Sequence, residues 1–160
     1  MATFTAIHVV LSLIGIATGL VVLFGFLTRR WSNLWNGVFL VTTALTSATG
    51  FAFPFEHLLP SHIIGAVSLA ILALAAVAMY ARHLVGGWKR TYVVSAVIAL
   101  YFNVFVLVVQ AFLKVPALHT LAPTQAEPPF AIAQIAVLLM FAAAGVAAFI
   151  QSKQRPSVAA

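Results

Sequence analysis

From Phe4 to Leu27 the chain has no aspartate, glutamate, lysine or arginine, and the same is true of residues 34–55, 61–81, 91–113 and 131–150. Each of these runs is about 20 residues long, which as a helix crosses the roughly 30 Å of hydrocarbon in a bilayer. Short connectors hold nearly all the charge. Over the 160 residues only 6% are charged and 64% are hydrophobic, against about 25% charged in a soluble domain. The charges are too few to cover a water-facing surface. The expectation is an all-α integral membrane protein, with residues 1–160 forming a single membrane domain. It is a five-transmembrane-helix bundle with spans at about 4–27, 34–55, 61–81, 91–113 and 131–150.

Charge placement gives the orientation. Arg29, Arg30, Arg82, Lys89, Arg90, Lys153 and Arg155 follow the first, third and fifth runs, and Lys114 alone follows the fourth. Basic residues concentrate on the cytoplasmic side of multi-pass proteins. The N-terminus is therefore expected outside and the C-terminus in the cytoplasm, in a cell inner (plasma) membrane. Trp31, Trp35, Tyr80, Trp88 and Tyr92 then fall at the inner interface, where amphipathic rings anchor helices. The same distribution accounts for the net charge of +6 without nucleic acid as a partner. The first 28 residues lack the basic region of a cleavable signal, and the Phe4–Leu27 run is long enough to span. The lack of cysteine removes disulfides, thiolate metal sites and cysteine nucleophiles.

Polar chemistry has few places to sit. The stretch Thr49–Ser68 links the second and third spans and holds Glu56, His57, Pro54, Pro60 and His62. With the N-terminus outside, His8, His62, His57 and His119 gather at the outer face with both carboxylates, Glu56 and Glu127. Imidazole and carboxylate suit transition metals, and two histidines on neighbouring helices suit axial ligation of a b-type haem. The metal-ligand candidates are His8, His62, His57, Glu56 and His119. An ordinary interfacial histidine or a helix cap is the plainer reading of each, except His8. That residue shares a helix face with Ser12, Gly15 and Gly19, a face suited to meeting protein, and ionisable groups within a span point to function.

Deeper in the spans, Thr46, Asn103, Gln110 and Gln134 are candidate cavity-lining residues. Asn103 and Gln110 are seven residues apart on one face, and each amide would cost several kcal/mol unpaired in hydrocarbon, an order of magnitude only (~). Helix packing is the plainer reading of the hydroxyls Thr42, Thr43, Thr46, Ser47 and Thr49, since each can bond back to a carbonyl one turn earlier. Between the fourth and fifth spans, Pro116, Pro123, Pro128 and Pro129 prevent one regular helix. This apolar, Pro-rich connector is expected to fold back as an outer cap loop, with Gln125 and Glu127 in it and Glu127 accepting backbone N–H groups.

Three functional readings follow. The first is a small inner-membrane protein that binds a transition metal or haem b through the outer histidines, for electron transfer or cofactor handling. The second is a non-catalytic accessory or assembly subunit, held in the lipid bilayer by small-residue contacts to a membrane-protein partner or to a second copy as a homo-oligomer. The third is a small-solute carrier or channel lined by Asn103, Gln110 and Thr46. No hydrolase motif and no phosphate-binding loop is present, and the sequence specifies no reaction.

Overall fold

The computed structural model describes residues 2–53 and 60–153. Among them all regular structure is helical: α1 (Ala2–Thr28), α2 (Asn33–Gly50), α3 (Pro60–Ala76), α4 (Trp88–Lys114), the short α5 (Pro116–Leu121) and α6 (Pro128–Lys153). Four stretches, Thr3–Thr28, His62–Ala81, Trp88–Lys114 and Pro128–Lys153, are long and apolar enough to cross a membrane. The fifth long helix, α2, is more polar because Asn33, Asn36 and a run of hydroxyls interrupt its apolar residues.

Helix α1 packs on α2, α2 on α3, α3 on α4 and α4 back on α1, so these four form a ring. Helix α6 lies outside the ring against α4 and α1 and leaves most of its apolar side chains exposed, Leu139 and Met140 among them. The interior is made of Phe39, Leu100, Tyr92 and Val93, all nearly inaccessible.

Several helix ends differ from the sequence expectation for local reasons. Helix α2 stops at Gly50, and Phe51 and Ala52 donate in tighter turns to Ala48 O and Thr49 O at 3.2 and 3.1 Å. Phe53 precedes Pro54, whose ring disfavours helical geometry in the residue before it. Helix α6 starts at Pro128, where a missing N–H costs nothing. Helix α3 widens at Val77–Ala81 into a π-helical turn, and Arg82 N donates to Val77 O at 2.9 Å. At the end of α1, Arg29 takes a positive φ of 59° and Arg30 N donates to Gly25 O at 2.8 Å. This left-handed cap explains a glycine the sequence left unmarked, since a Cβ on Gly25 would lie 2.5 Å from Arg30 O.

The connector after α4 folds back on it. Gln125 Nε2 donates to Val109 O at 2.9 Å, and Ala122 is fully buried. Glu127 organises the turn: its carboxylate accepts from Thr124 N at 3.2 Å, Thr124 Oγ1 at 2.9 Å and Ala126 N at 3.1 Å. Slight desolvation pushes the Glu127 carboxyl up, but hydrogen bonds from its own backbone, Thr124 and Ala126 outweigh this and hold it below the usual carboxylate range. Because the folded pKa is depressed, the contribution to stability is complete above the unfolded carboxyl value and is lost as pH falls through the folded one. Hydrogen exchange should therefore show Thr124 and Ala126 protected at neutral pH and released in acid, with Glu127→Gln weakening that protection already at neutral pH. Protection that ignores both acid and substitution would remove the carboxylate from this role.

Candidate functional site: a polar seam between three helices

Glycines on α1 bring it against both α2 and α4. A Cβ on Gly19 would meet Leu100 Cδ1 at 2.5 Å and Phe39 Cε2 at 2.8 Å, and one on Gly15 would meet Thr43 Oγ1 at 3.1 Å and Asn103 Nδ2 at 3.4 Å. Nearer the start of α1, Gly50 faces His8 Cε1 at 3.9 Å. Helices α1 and α2 are thus antiparallel, with Gly19 opposite Phe39, Gly15 opposite Thr43 and His8 opposite Gly50. Carried through, this register sets Ser12 level with Thr46. The same reasoning along α4, from Leu100 at Gly19 to Asn103 at Gly15, sets Val106 level with Ser12 and Gln110 level with His8.

The seam thus has three polar layers. The deepest joins Asn103 Nδ2 to Thr43 Oγ1 at 3.3 Å, beside Gly15. The middle layer is Ser12 and Thr46. The shallowest joins His8 to Thr49, with His8 Nδ1 2.8 Å from Thr49 Oγ1, and Gln110 is level with them along α4. Thr49 Oγ1 is also 2.7 Å from Leu45 O and 3.1 Å from Thr46 O. Both carbonyls only accept, so where the hydroxyl's one proton goes to them the imidazole is the donor. In that arrangement neutral His8 carries its proton on Nδ1, and Nε2 presents its lone pair. Phe53 packs edge-on against the ring with centroids 5.1 Å apart, further fixing its plane.

His62 is buried, its ring centroid 5.7 Å from that of Phe51. His8 and His62 thus flank the same end of α2, from helices that stand across the ring from each other. His119 is exposed on α5. Glu56 and His57 lie outside the described residues. Among the described residues no three histidine, aspartate or glutamate side chains gather closely enough to hold a metal ion. Gln134 Nε2 donates to Phe105 O at 3.2 Å, which ties α6 to α4, while its Oε1 is buried without a partner among the described residues.

One pairing escaped the sequence reading. Tyr92 Oη donates to Asn36 Oδ1 at 2.6 Å, and Asn36 Nδ2 donates to Ser32 O at 2.7 Å. Both residues are buried near the Arg29 end of the bundle. An amide inside an apolar helix was the available signal, the same one that singled out Asn103. A second contact, Ser47 Oγ to Ser68 Oγ at 3.3 Å, joins α2 to α3. Neither a protein-family model nor a curated protein nor a solved structure matches this chain.

Proposed function

We propose that this chain is a five-span inner-membrane protein, N-terminus outside and C-terminus cytoplasmic, that holds a transition metal or b-type haem at its outer end for electron transfer or cofactor handling. The fifth span is α2: its 18 residues rise about 27 Å, and it packs between α1 and α3. The basic residues at the ends of α1, α3 and α6 support the orientation.

The observation that carries the cofactor reading is the His8–Thr49 hydrogen bond. Metal-ligating histidines characteristically donate their other ring N–H to an oxygen, which fixes the tautomer and aims the free nitrogen. Donation from His8 Nδ1 to Thr49 Oγ1 would give that arrangement, and His62 opens a helix across the ring at the same end. A haem needs only two axial protein ligands, so the pair suits it better than a bare ion, which takes three or four. A bare ion would need Glu56 or His57 in addition, since His8, His62 and His119 do not gather into one group.

Metal analysis and an absorbance spectrum of the purified protein, beside a His8→Ala/His62→Ala variant, test this. Stoichiometric iron with a haem spectrum is expected in the parent and not in the variant. Thr49→Val, which leaves both imidazoles in place, should weaken retention about 10–100-fold. A parent protein without metal, or a variant that keeps its full content, would sink the reading.

The accessory-subunit reading draws on α6, whose exposed apolar side chains could meet a partner helix as readily as lipid. Co-purification of a stoichiometric membrane partner from native membranes would favour it, and a lone monomer in mild detergent would count against it.

A further inference from the structure

Thr46 departs from a pattern that five other hydroxyls of α1 and α2 keep. Ser12, Thr18, Thr28, Thr42 and Thr49 all return their hydroxyl protons to the carbonyl one turn earlier, at 2.7 to 2.9 Å. The Thr46 hydroxyl is buried, in a residue only 8% exposed, and has no hydrogen-bond partner among the described residues. Buried polar atoms are rarely left so, and water is the usual partner where several polar groups face one another.

The register supplies those groups. Thr46 is level with Ser12, one layer above the Asn103–Thr43 pair and one layer below His8. Gln110, whose side chain bonds to no other described residue, comes level with His8. A track of hydrogen-bonding groups thus runs from the His8 end to the middle of the bundle. It stops at Gly19, where the packed Phe39 ring and Leu100 close the interior. None of its residues is aspartate, glutamate, lysine or arginine.

We propose that this seam is a blind, water-accessible passage, open at the His8 end and closed by Phe39 and Leu100 below Asn103. Its occupants are water and other small uncharged molecules that both donate and accept hydrogen bonds. An ion would meet no counter-charge there, whereas a neutral hydrogen-bonding molecule satisfies Thr46, Gln110 and the free face of Asn103. The passage does not depend on a metal or haem being bound, so it stands or falls separately from the cofactor reading.

The chain has no cysteine, so single-cysteine variants of the full-length protein report without background. A thiol reacts with methyl methanethiosulfonate, a small neutral probe, only as the thiolate, which forms where water reaches it. Thr46→Cys and Asn103→Cys should react at least about tenfold faster than Ala96→Cys, which lies on the same face of α4 beyond the closure, because an apolar site suppresses the thiolate. Ser12→Cys reads the middle layer independently should Thr46→Cys fail to fold. If the middle-layer thiol reacts as slowly as Ala96→Cys, the seam is dry and the proposal is overturned. Fast reaction there with slow reaction at Asn103→Cys would overturn its depth. Reaction as fast at Ala96→Cys as at Asn103→Cys would overturn the closure.

Discussion

Gly19→Ala should lower stability by about 1–3 kcal/mol, the usual cost of forcing a methyl group into a packed interior. In a chain of this length that corresponds to an apparent Tm reduced by roughly 3–10 °C. The new Cβ would sit 2.5 Å from Leu100 Cδ1 and 2.8 and 2.9 Å from two atoms of the Phe39 ring. Leucine side chains can turn aside, but Leu100 is 1% exposed and Phe39 is 0% exposed, so neither has open space to enter. Leu100→Ala alone leaves a cavity and should cost about 2–5 kcal/mol. In the Gly19→Ala background the same truncation removes the shortest of the three clashes and leaves the two with Phe39, so the double variant should be more stable than the sum of the two losses. Melting in detergent at one fixed scan rate measures all three, with Gly87→Ala, which meets nothing within 4 Å, as the neutral control. Strict additivity would mean that α1 and α4 do not meet at Gly19.

That contact also marks how far the sequence could be read. Five long charge-free runs announced helices, the fold that satisfies its own backbone where water is absent, and four of the resulting helices are long and apolar enough to cross a membrane. Gly15-x-x-x-Gly19 announced a close approach, but a small residue does not say which helix comes near. Only the packed structure assigns α2 and α4 to that face. Asn103 likewise announced a partner by its cost in hydrocarbon, while Thr43 was one hydroxyl among several in the same helix. His8 was marked out by its position, but its tautomer depends on where the Thr49 proton goes, a fact of three-dimensional geometry. Pro60 marked the start of α3, but the expected second span ran past Pro54 to residue 55 and the expected fifth began at residue 131, after α6 had opened at Pro128. Phe53, seated on His8, lies beyond the end of α2 although its composition continued the span.

Asn36→Leu should be the most damaging polar-to-apolar change in the bundle that leaves the His8 seam intact. Tyr92 is fully buried, and its hydroxyl depends on Asn36 Oδ1 at 2.6 Å. Removing the amide strands that hydroxyl and should cost about 1–3 kcal/mol, the penalty of an unsatisfied buried donor. Tyr92→Phe is the gentler cut. The ring keeps its neighbours Phe26 and Trp31, with centroids 6.0 and 5.4 Å away, and Asn36 keeps its bond to Ser32 O at 2.7 Å. The net loss should be about 0.5–1.5 kcal/mol. Joining the two substitutions removes both halves of the pair, so Asn36→Leu/Tyr92→Phe should be no less stable than Asn36→Leu alone. The coupling from this cycle should approach the upper end found between transmembrane helices, about 1.7 kcal/mol, because both groups are buried and the bond is short. A coupling near zero would mean that each side chain finds another partner and that α2 and α4 are not tied at this end. A large coupling would place a polar tie on the far side of the Phe39–Leu100 closure from Asn103. Helices α2 and α4 would then be joined by hydrogen bonds above and below one apolar layer, and the layer between would be held in register from both sides.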